Sequence, residues 1–431
     1  MLKPIALLGA AGAFLGVLNF LSPPPQIEEV LAWEQTPFFQ LPSEPDAQAE
    51  QIVQQYLNDL AARGIAANRQ GVWLQSDMTR LAVRRGQDPM SAASLTKIAT
   101  TIAALETWSP DYRFETRVYS TGPIREGVLQ GDLVIEGSGD PFFIWEEAIA
   151  LGNALNQLGL KRVEGNLIVV GKFYMNYRTN PNVTSQLLLQ SFNSQHWQGE
   201  IVTQYSLMAP GTPRPQIDLR GRIITQSQLP SNSPTLLLRH QSVTLAEILK
   251  QMNIYSNNMM SEALAESIGG ADEVMRIASE ITQVPPQEIQ LINGSGLGVA
   301  NRISPYASVA MLMALERQLA DNSLGVGDLF PVEGRDTEGT MKTRNFPPHT
   351  LIKTGTLASV SALAGVLPTR DRGLVWFAII NEGGDILELR RQQDILLQRL
   401  SQAWGVAPLP LSDQNKTPEK IGDPSRILSE F

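Results

Sequence analysis

The chain has 431 residues, and a soft prior of about 150 residues per domain predicts two or three compact units. Its net charge is -9 and no basic tract stands out, so a nucleic-acid partner is not expected. The absence of cysteine excludes disulfides, thiolate metal ligands and a thiol nucleophile. His196, His240 and His349 are isolated in the sequence and no His-Glu-x-x-His occurs, so neither a metal site nor a cofactor is expected.

The N-terminus predicts export from the cytoplasm. After Lys3, an uncharged run from residue 5 to residue 21 ends at Ser22-Pro23-Pro24-Pro25, which is typical of a signal peptide or membrane anchor over 1–25. Its 17 residues lie at the lower edge of the roughly 17 to 25 that span a bilayer. No small-x-small cleavage pattern is present, which favours an uncleaved anchor over a secreted form. We expect an extracytoplasmic location in the cell envelope in either case.

The next elements in chain order are a linker, a helix and a hairpin. Residues 26–45 are rich in proline and acidic residues and predict a tether. Apolar residues at helical spacing predict a helix over 47–63. The segments 71–74 and 79–83 resemble an antiparallel hairpin that leads towards the first catalytic motif.

From about residue 112 the pattern changes and predicts a mixed α/β domain inserted over 112–238. Strands are expected over 113–119, 132–135 and 166–170, and a helix over 145–158. The polar stretch 190–234 carries no clear pattern.

The downstream elements predict an antiparallel sheet with helices packed on it. We expect helices over 244–252, 261–268, 271–281 and 386–404, and strands over 351–355, 361–367 and 374–381. With the segments before the insertion, they form a discontinuous catalytic domain over 46–111 and 239–405. The tail, 406–431, is expected to be disordered.

Three short motifs in a fixed order carry the chemistry: Ser94-x-x-Lys97, Ser256-x-Asn258 and Lys353-Thr354-Gly355. Taken singly, they are also typical of a capped helix with a solvated lysine, a surface loop and a turn at a strand end. Their order and their predicted contexts of helix start, loop between helices and strand favour a penicillin-recognising serine acyl-transfer enzyme.

A serine hydroxyl needs a base and a stabilised oxyanion. Lys97 lies one helical turn from Ser94 and is predicted to act as the base in its neutral form, which burial and the nearby cation Lys353 favour. The backbone N–H groups of Ser94 and Thr356 are predicted to form the oxyanion hole.

The other motif residues predict binding of a substrate that ends in a free carboxylate. Ser256 is expected to relay a proton to the leaving amine, and Asn258 to hold Lys97 and a substrate amide. Lys353 offers a positive pocket for the carboxylate. The Thr354 and Thr356 hydroxyls extend this pocket, and Gly355 allows a ligand to approach the strand closely.

With these motifs, the chain resembles the low-molecular-mass class C penicillin-binding proteins, the S13 peptidase family, over most of residues 46–404. Further matching segments are Pro89 to Lys97, Gly131-Asp132-Leu133, Gly139-Asp140-Pro141, Gly294-Ser295-Gly296-Leu297, Gly334-Arg335-Asp336 and Gly339-Thr340. The resemblance implies an α/β (α+β) fold, in which a β-lactamase/transpeptidase-like domain with an antiparallel sheet flanked by helices carries a mixed α/β insertion between the first two motifs.

The resemblance also implies a serine-type D-Ala-D-Ala carboxypeptidase, with DD-endopeptidase activity left open beside it. Its roles fall on Ser94 as acylated nucleophile and Lys97 as base, with the second and third motifs as above. The implied partners are peptidoglycan stem peptides ending in D-Ala-D-Ala, with β-lactams as covalent inhibitors and membrane association through the N-terminus.

Two departures and two alternatives remain. Ser256 follows Ser94 by 256 − 94 = 162 positions, so one of the family's two inserted domains is expected to be reduced or missing. Asn257 replaces a frequent aspartate and is expected to point away from substrate. A serine β-lactamase is disfavoured because no loop between the second and third motifs is recognisable as carrying a water-activating glutamate, and because of the large insertion. A non-catalytic envelope protein is disfavoured because every key residue is present.

Overall fold

The computed structural model describes residues 45–231, 233–410 and 418–429. Its strands are β1 (Gln70–Ser76), β2 (Thr79–Arg84), β3 (Met90–Ser91), β4 (Glu115–Ser120), β5 (Ile124–Arg125), β6 (Val128–Leu129), β7 (Leu133–Ser138), β8 (Arg162–Val163), β9 (Leu167–Lys172), β10 (Asp218–Leu219), β11 (Ile223–Gln226), β12 (Thr235–Gln241), β13 (Ile289–Gln290), β14 (Arg302–Ile303), β15 (Leu351–Leu357), β16 (Val360–Thr369), β17 (Gly373–Glu382) and β18 (Ile427–Ser429). Its α-helices are α1 (Ala47–Ala61), α2 (Thr96–Thr107), α3 (Trp145–Gln157), α4 (Pro181–Phe192), α5 (Glu200–Leu207), α6 (Leu245–Tyr255), α7 (Asn258–Ile268), α8 (Ala271–Thr282), α9 (Pro305–Ala320) and α10 (Ile386–Trp404).

The catalytic sheet has the order β15-β16-β17-β1-β2, and every neighbouring pair is antiparallel. Helices α1 and α10 pack on one face, while α2, α6, α7, α8 and α9 contribute to the core on the other. All ten residues of β16 are buried because helices cover both faces of the sheet. The predicted fold class, the hairpin and the three C-terminal strands are confirmed, whereas α9 was not predicted.

Helix α10 closes the catalytic sheet and begins where the sequence predicts. The Asp385 side chain caps it by accepting a hydrogen bond from the Glu388 N–H at 2.9 Å. One face of the helix is fully buried against the sheet and α1, and it consists of Leu389, Leu396, Leu397, Leu400 and Trp404. This burial fixes α10 beside β15 and β16, next to the third motif.

A second sheet follows the first motif and has the order β11-β9-β7-β4-β12-β18. Strands β7, β9 and β11 run parallel and the remaining pairs are antiparallel, so the sheet is mixed. Helices α3 and α4 pack on it around a core of their own. The segment that showed no clear pattern contains α5, β10 and β11. The described residues all belong to one compact unit, and the domain limits 112–238 stay a prediction.

The described parts of the C-terminal tail, 406–410 and 418–429, depart from the sequence-based expectation of disorder over 406–431. Within it, β18 pairs antiparallel with β12, and Ile427 lies opposite His240. The Arg426 guanidinium donates to the buried Glu147 carboxylate at 2.5 Å and to the Gln241 carbonyl at 2.7 Å. The composition of the tail predicts disorder, but a free sheet edge and a buried carboxylate far away in the sequence provide its partners.

The predictions for the N-terminus, 1–25 and 26–45, lie outside the described residues except for Pro45. Within the described part of the chain, no helix combines the length and apolar character needed to cross a bilayer.

Candidate active site

Ser94 lies in a short 3-10 turn, Ala93–Leu95, that leads directly into α2. The preceding Ala93 has φ of 46°, in the left-handed region that residues with a side chain seldom adopt. Both Ala92 and Ala93 are fully buried, so the surrounding packing holds this turn in place. Ser94 itself is half-buried just before α2, where the positive end of the helix dipole favours a developing negative charge.

The Lys97 amine joins three parts of the chain. Its Nζ lies 3.1 Å from the Ser94 Oγ, 2.8 Å from the Asn258 Oδ1 and 2.7 Å from the Ser295 carbonyl oxygen. The contact with Ser94 follows from their spacing of one helical turn. The other two contacts come from α7 and from the loop that follows β13.

Burial changes the protonation of Lys97. The side chain is fully buried, and burial disfavours its charged form, so its pKa falls to about 7. The Glu262 carboxylate opposes this shift. Near neutral pH a substantial fraction of the molecules therefore carries a neutral amine that is able to accept the Ser94 proton.

The second motif spans the junction of two helices. Ser256 ends α6 in the left-handed conformation, with φ of 52°, and Asn258 is the first residue of α7. Asn257 caps α7, because its side chain accepts a hydrogen bond from the Met260 N–H at 3.1 Å. This contact turns the Asn257 side chain towards its own helix, in line with the expectation that it points away from substrate.

The third motif lies on β15, the edge strand of the catalytic sheet. The buried Lys353 amine donates to the Ser256 Oγ at 2.9 Å and to the Thr354 carbonyl at 2.7 Å. Burial first, and the nearby Lys97 second, lower the pKa of Lys353 well below its usual value. The Thr354 hydroxyl lies 2.7 Å from the hydroxyl of Thr340.

Gly355 brings β15 into close contact with the turn that holds Ser94. A Cβ at this position would lie 2.9 Å from the Ala92 carbonyl oxygen and 3.0 Å from the Ser94 nitrogen. The absence of a side chain therefore allows the strand to lie against the nucleophile. The structure brings all eight predicted site residues into this region, with Thr356 exposed at its outer end.

The comparison with known families agrees with this geometry. Residues 51–196 and 214–403 match the D-Ala-D-Ala carboxypeptidase 3 (S13) family. The chain belongs to this family. It is therefore a D-Ala-D-Ala carboxypeptidase, a hydrolase of the penicillin-binding class, as the motifs predict.

Relatives of this S13 enzyme are distant in sequence. The D-alanyl-D-alanine carboxypeptidase DacB of Haemophilus influenzae is 22% identical over 67% of this chain and 79% of its own length. A carboxypeptidase of Mycobacterium tuberculosis is 24% identical over 75% of this chain and 81% of its own. The structure of a penicillin G-acylated predatory endopeptidase of Bdellovibrio bacteriovorus, in complex with an immunity protein, shares the fold with a TM-score of 0.69 and 22% identity, covering 83% of this chain and 98% of that one.

Sequence reasoning assigned no role to Glu262, whose carboxylate stabilises the wall of the site. It accepts hydrogen bonds from the Gly294 N–H at 3.1 Å and the Ser295 N–H at 3.0 Å. Ser295 in turn presents its carbonyl oxygen to Lys97. Glu262 lies four positions after Asn258, one turn along α7, and that spacing was the available signal.

No metal centre emerges from the described ranges, where no three histidine, aspartate or glutamate side chains converge on a common point. The buried His240 instead places its Nε2 at 2.7 Å from the Glu147 carboxylate. This contact is part of the Arg426 cluster that secures the tail.

Proposed function

We propose that Ser94 is the nucleophile with which this S13 enzyme removes the terminal D-alanine from peptidoglycan stem peptides. One observation carries the proposal: the buried Lys97 amine lies 3.1 Å from the Ser94 hydroxyl, and its pKa is about 7. A base with a pKa near the working pH combines a useful neutral fraction with sufficient basicity.

Acylation then follows a simple path. Lys97 accepts the Ser94 proton while the Ser94 oxygen attacks the carbonyl carbon of the penultimate D-alanine. The N–H groups of Ser94 and Thr356 stabilise the oxyanion. When the tetrahedral intermediate collapses, the peptide bond breaks, Ser256 gives its hydroxyl proton to the leaving D-alanine amine, and the proton held by Lys97 replaces it on Ser256. Water later hydrolyses the acyl-enzyme.

The roles of the remaining residues follow from their contacts. Asn258 holds the Lys97 amine in place through its Oδ1. Lys353 donates to Ser256 and so orients the relay hydroxyl. The hydroxyls of Thr354 and Thr356, together with Lys353, bind the substrate carboxylate.

β-Lactams are expected to acylate the same serine and to be released slowly. Rapid release requires a general base for the deacylating water. Glu262 is the carboxylate whose charge acts on Lys97, but both of its oxygens already accept backbone N–H groups. Its engagement supports the carboxypeptidase over a β-lactamase.

The cellular setting is inferred from the chemistry. Membership of the S13 family agrees with a location in the cell envelope. We propose that residues 5–21 place the enzyme on the extracytoplasmic side, as an anchor or as a cleaved signal. A fusion of residues 1–45 to a reporter tests this, with membrane-bound, secreted and cytoplasmic reporter as its distinguishable results.

The deciding experiment for the nucleophile is intact-protein mass after incubation with benzylpenicillin, followed by peptide mapping. We expect a stable adduct on Ser94, no adduct in Ser94→Ala or Lys97→Ala, and a normal adduct in Ser206→Ala, a control at an exposed serine. An adduct on another residue would refute the assignment. No adduct together with no penicillin hydrolysis would favour a non-catalytic envelope protein.

Carboxypeptidase and endopeptidase activities are separated by their products. Purified enzyme is incubated with a pentapeptide monomer and, separately, with a cross-linked muropeptide dimer. Release of D-alanine from the monomer is expected whether or not the enzyme is also a DD-endopeptidase. Conversion of the dimer to monomers occurs only if it is.

A further inference from the structure

Arg390 lies at the outer end of the third motif although it is distant from that motif in sequence. It is on α10, and its Nη2 donates a hydrogen bond to the Thr356 Oγ1 at 2.7 Å. The two residues are 34 positions apart. Thr356 is exposed and Arg390 is half-buried, so both residues of this pair are in part accessible to solvent.

The charge of Arg390 is not neutralised by an ion pair with any described residue, in contrast to the arginines around it. Arg391 pairs with Glu388 at 2.7 Å, and Arg344 pairs with Asp394 at 2.6 Å. Burial, the neighbouring Arg344 and, in the opposite direction, Asp394 together lower the pKa of Arg390. A partly desolvated cation beside another cation is stabilised by an anionic ligand.

The placement of Arg390 matches the carboxylate pocket. Side chains two positions apart on a strand share a side, so the hydroxyls of Thr354 and Thr356 project in the same sense from the edge strand β15. The Thr354 hydroxyl also contacts Thr340. Arg390 adds five N–H donors and a fixed positive charge to this row of uncharged hydroxyls.

Lys353 does not supply that charge by itself. Its amine is fully buried and donates to the Ser256 hydroxyl and to the Thr354 carbonyl. Burial disfavours its charged form and holds its pKa well below the usual lysine value. Guanidinium groups stay protonated throughout the range in which enzymes work.

We infer that Arg390 is a specificity-determining residue that, with Thr356, binds the free carboxylate next to the bond that is cleaved. This inference rests on the proposed function, because it places a substrate carboxylate on β15. Arg390 contacts the substrate in this reading, and the alternative is a purely structural link that pins α10 to β15.

A pair of β-lactams that differ only in the carboxylate tests the inference: benzylpenicillin and its methyl ester. The readout is the second-order rate of Ser94 acylation, measured by intact-protein mass. For Arg390→Gln we expect the acylation rate with benzylpenicillin to fall about tenfold, as for removal of a charge-assisted hydrogen bond. With the methyl ester, the rate is expected to fall less than about twofold. Arg390→Lys is expected to lie between Arg390→Gln and wild type.

Arg391→Gln is the matched control, since Arg391 is the next residue on α10 and its guanidinium is exposed and paired with Glu388. It is expected to acylate like wild type with both β-lactams. If Arg390→Gln lowered the acylation rate equally with both compounds, Arg390 would have a structural role and the inference would be overturned. An unchanged rate with benzylpenicillin would also overturn it.

A peptide substrate extends the test to the hydrolytic reaction. Wild type and Arg390→Gln are compared on an N-acylated peptide ending in D-Ala-D-Ala with a free carboxylate. We expect KM to rise about tenfold with kcat nearly unchanged, because the lost contact is made in both the ground and transition states. A fall in kcat at constant KM would contradict the inference. Failure of wild type itself to form an adduct would instead refute the proposed function.

Discussion

Lys353 donates a hydrogen bond to Ser256 at 2.9 Å, so the third motif is joined directly to the second. The first motif is joined to the second in a similar way, through Lys97 and Asn258 at 2.8 Å. Two buried amines thus connect three elements that are separated by more than 90 positions along the chain, and both connections pass through uncharged side chains. Removal of either amine is therefore expected to affect all three motifs.

The rate of acylation is expected to rise with pH. Only the neutral form of Lys97 accepts the Ser94 proton, and its pKa is about 7. The rate with benzylpenicillin should therefore increase about tenfold per pH unit well below pH 7 and level off above it. Stopped-flow or quenched-flow mass measurements between pH 5 and pH 9 provide the profile. A rate that falls with rising pH would exclude Lys97 as the base.

Glu262→Gln is expected to move that profile to lower pH. The Glu262 carboxylate raises the pKa of Lys97, so its neutralisation should lower the midpoint of the pH profile. The plateau should also fall by about tenfold, because one of the two loop N–H groups at Gly294 and Ser295 loses its acceptor.

Glu266→Gln serves as the control for this measurement. Glu266 lies one turn further along α7 and contacts Tyr174 at 3.4 Å rather than the catalytic loop. The midpoint of the pH profile of Glu266→Gln is expected to match that of wild type. A midpoint in Glu262→Gln that stays in place or rises would show that the carboxylate does not set the pKa of Lys97.

Gly355→Ala is expected to impair acylation more than it impairs folding. The added Cβ would lie 2.9 Å from the Ala92 oxygen and 3.0 Å from the Ser94 nitrogen, so β15 must move away from the nucleophile. We expect a destabilisation of about 1–3 kcal/mol from this overpacking. The acylation rate is expected to fall about 100-fold, as for a misplaced oxyanion donor. A variant with normal acylation would show that the close approach of β15 is not required.

Arg426→Ala is expected to destabilise the protein without a direct effect on the site. It would leave the buried Glu147 carboxylate with His240 as its remaining partner and remove donors to the Gln241 and Lys420 carbonyls. Loss of one partner of a buried ion pair costs about 3–5 kcal/mol. Denaturant unfolding measures this change, and penicillin acylation of the folded protein at 25 °C should remain normal.

An exposed arginine provides the comparison for that prediction. Arg276 pairs with Glu273 and Glu280 on the surface of α8. Surface pairs contribute little, so Arg276→Ala is expected to unfold at the same denaturant concentration as wild type. If the denaturant concentration of unfolding changed as little in Arg426→Ala, the contacts of Arg426 would not contribute to stability.

Much of the architecture was accessible from local patterns. The limits of α10 were predicted to the residue, because its apolar face repeats at helical spacing. The three C-terminal strands, β15 to β17, are each two or three residues longer in the structure than predicted from the sequence. In contrast, α9 was missed, since its buried surface leaves no polar face to reveal a helical period.

The tail shows why composition misled the prediction. Residues 418–429 are polar and contain prolines, which is typical of disorder. Their order depends on Glu419, which pairs with Arg113 at a distance of 306 positions, and on Arg426, which pairs with Glu147 across 279 positions. No pattern within the tail contains that information.

The sequence by itself determined the chemistry of this protein, because the nucleophile, its base and the strand motif are short contiguous segments whose internal spacing already places their side chains. A neutral Lys97 was predicted from the sequence, but only the tertiary structure provides the burial that shifts its pKa and assembles the wider site. Burial, which depends on the whole fold, lowers the pKa of Lys97 and Lys353. The contacts of Glu262 and Arg390 join segments that are far apart in the chain, and only packing brings them to the motifs.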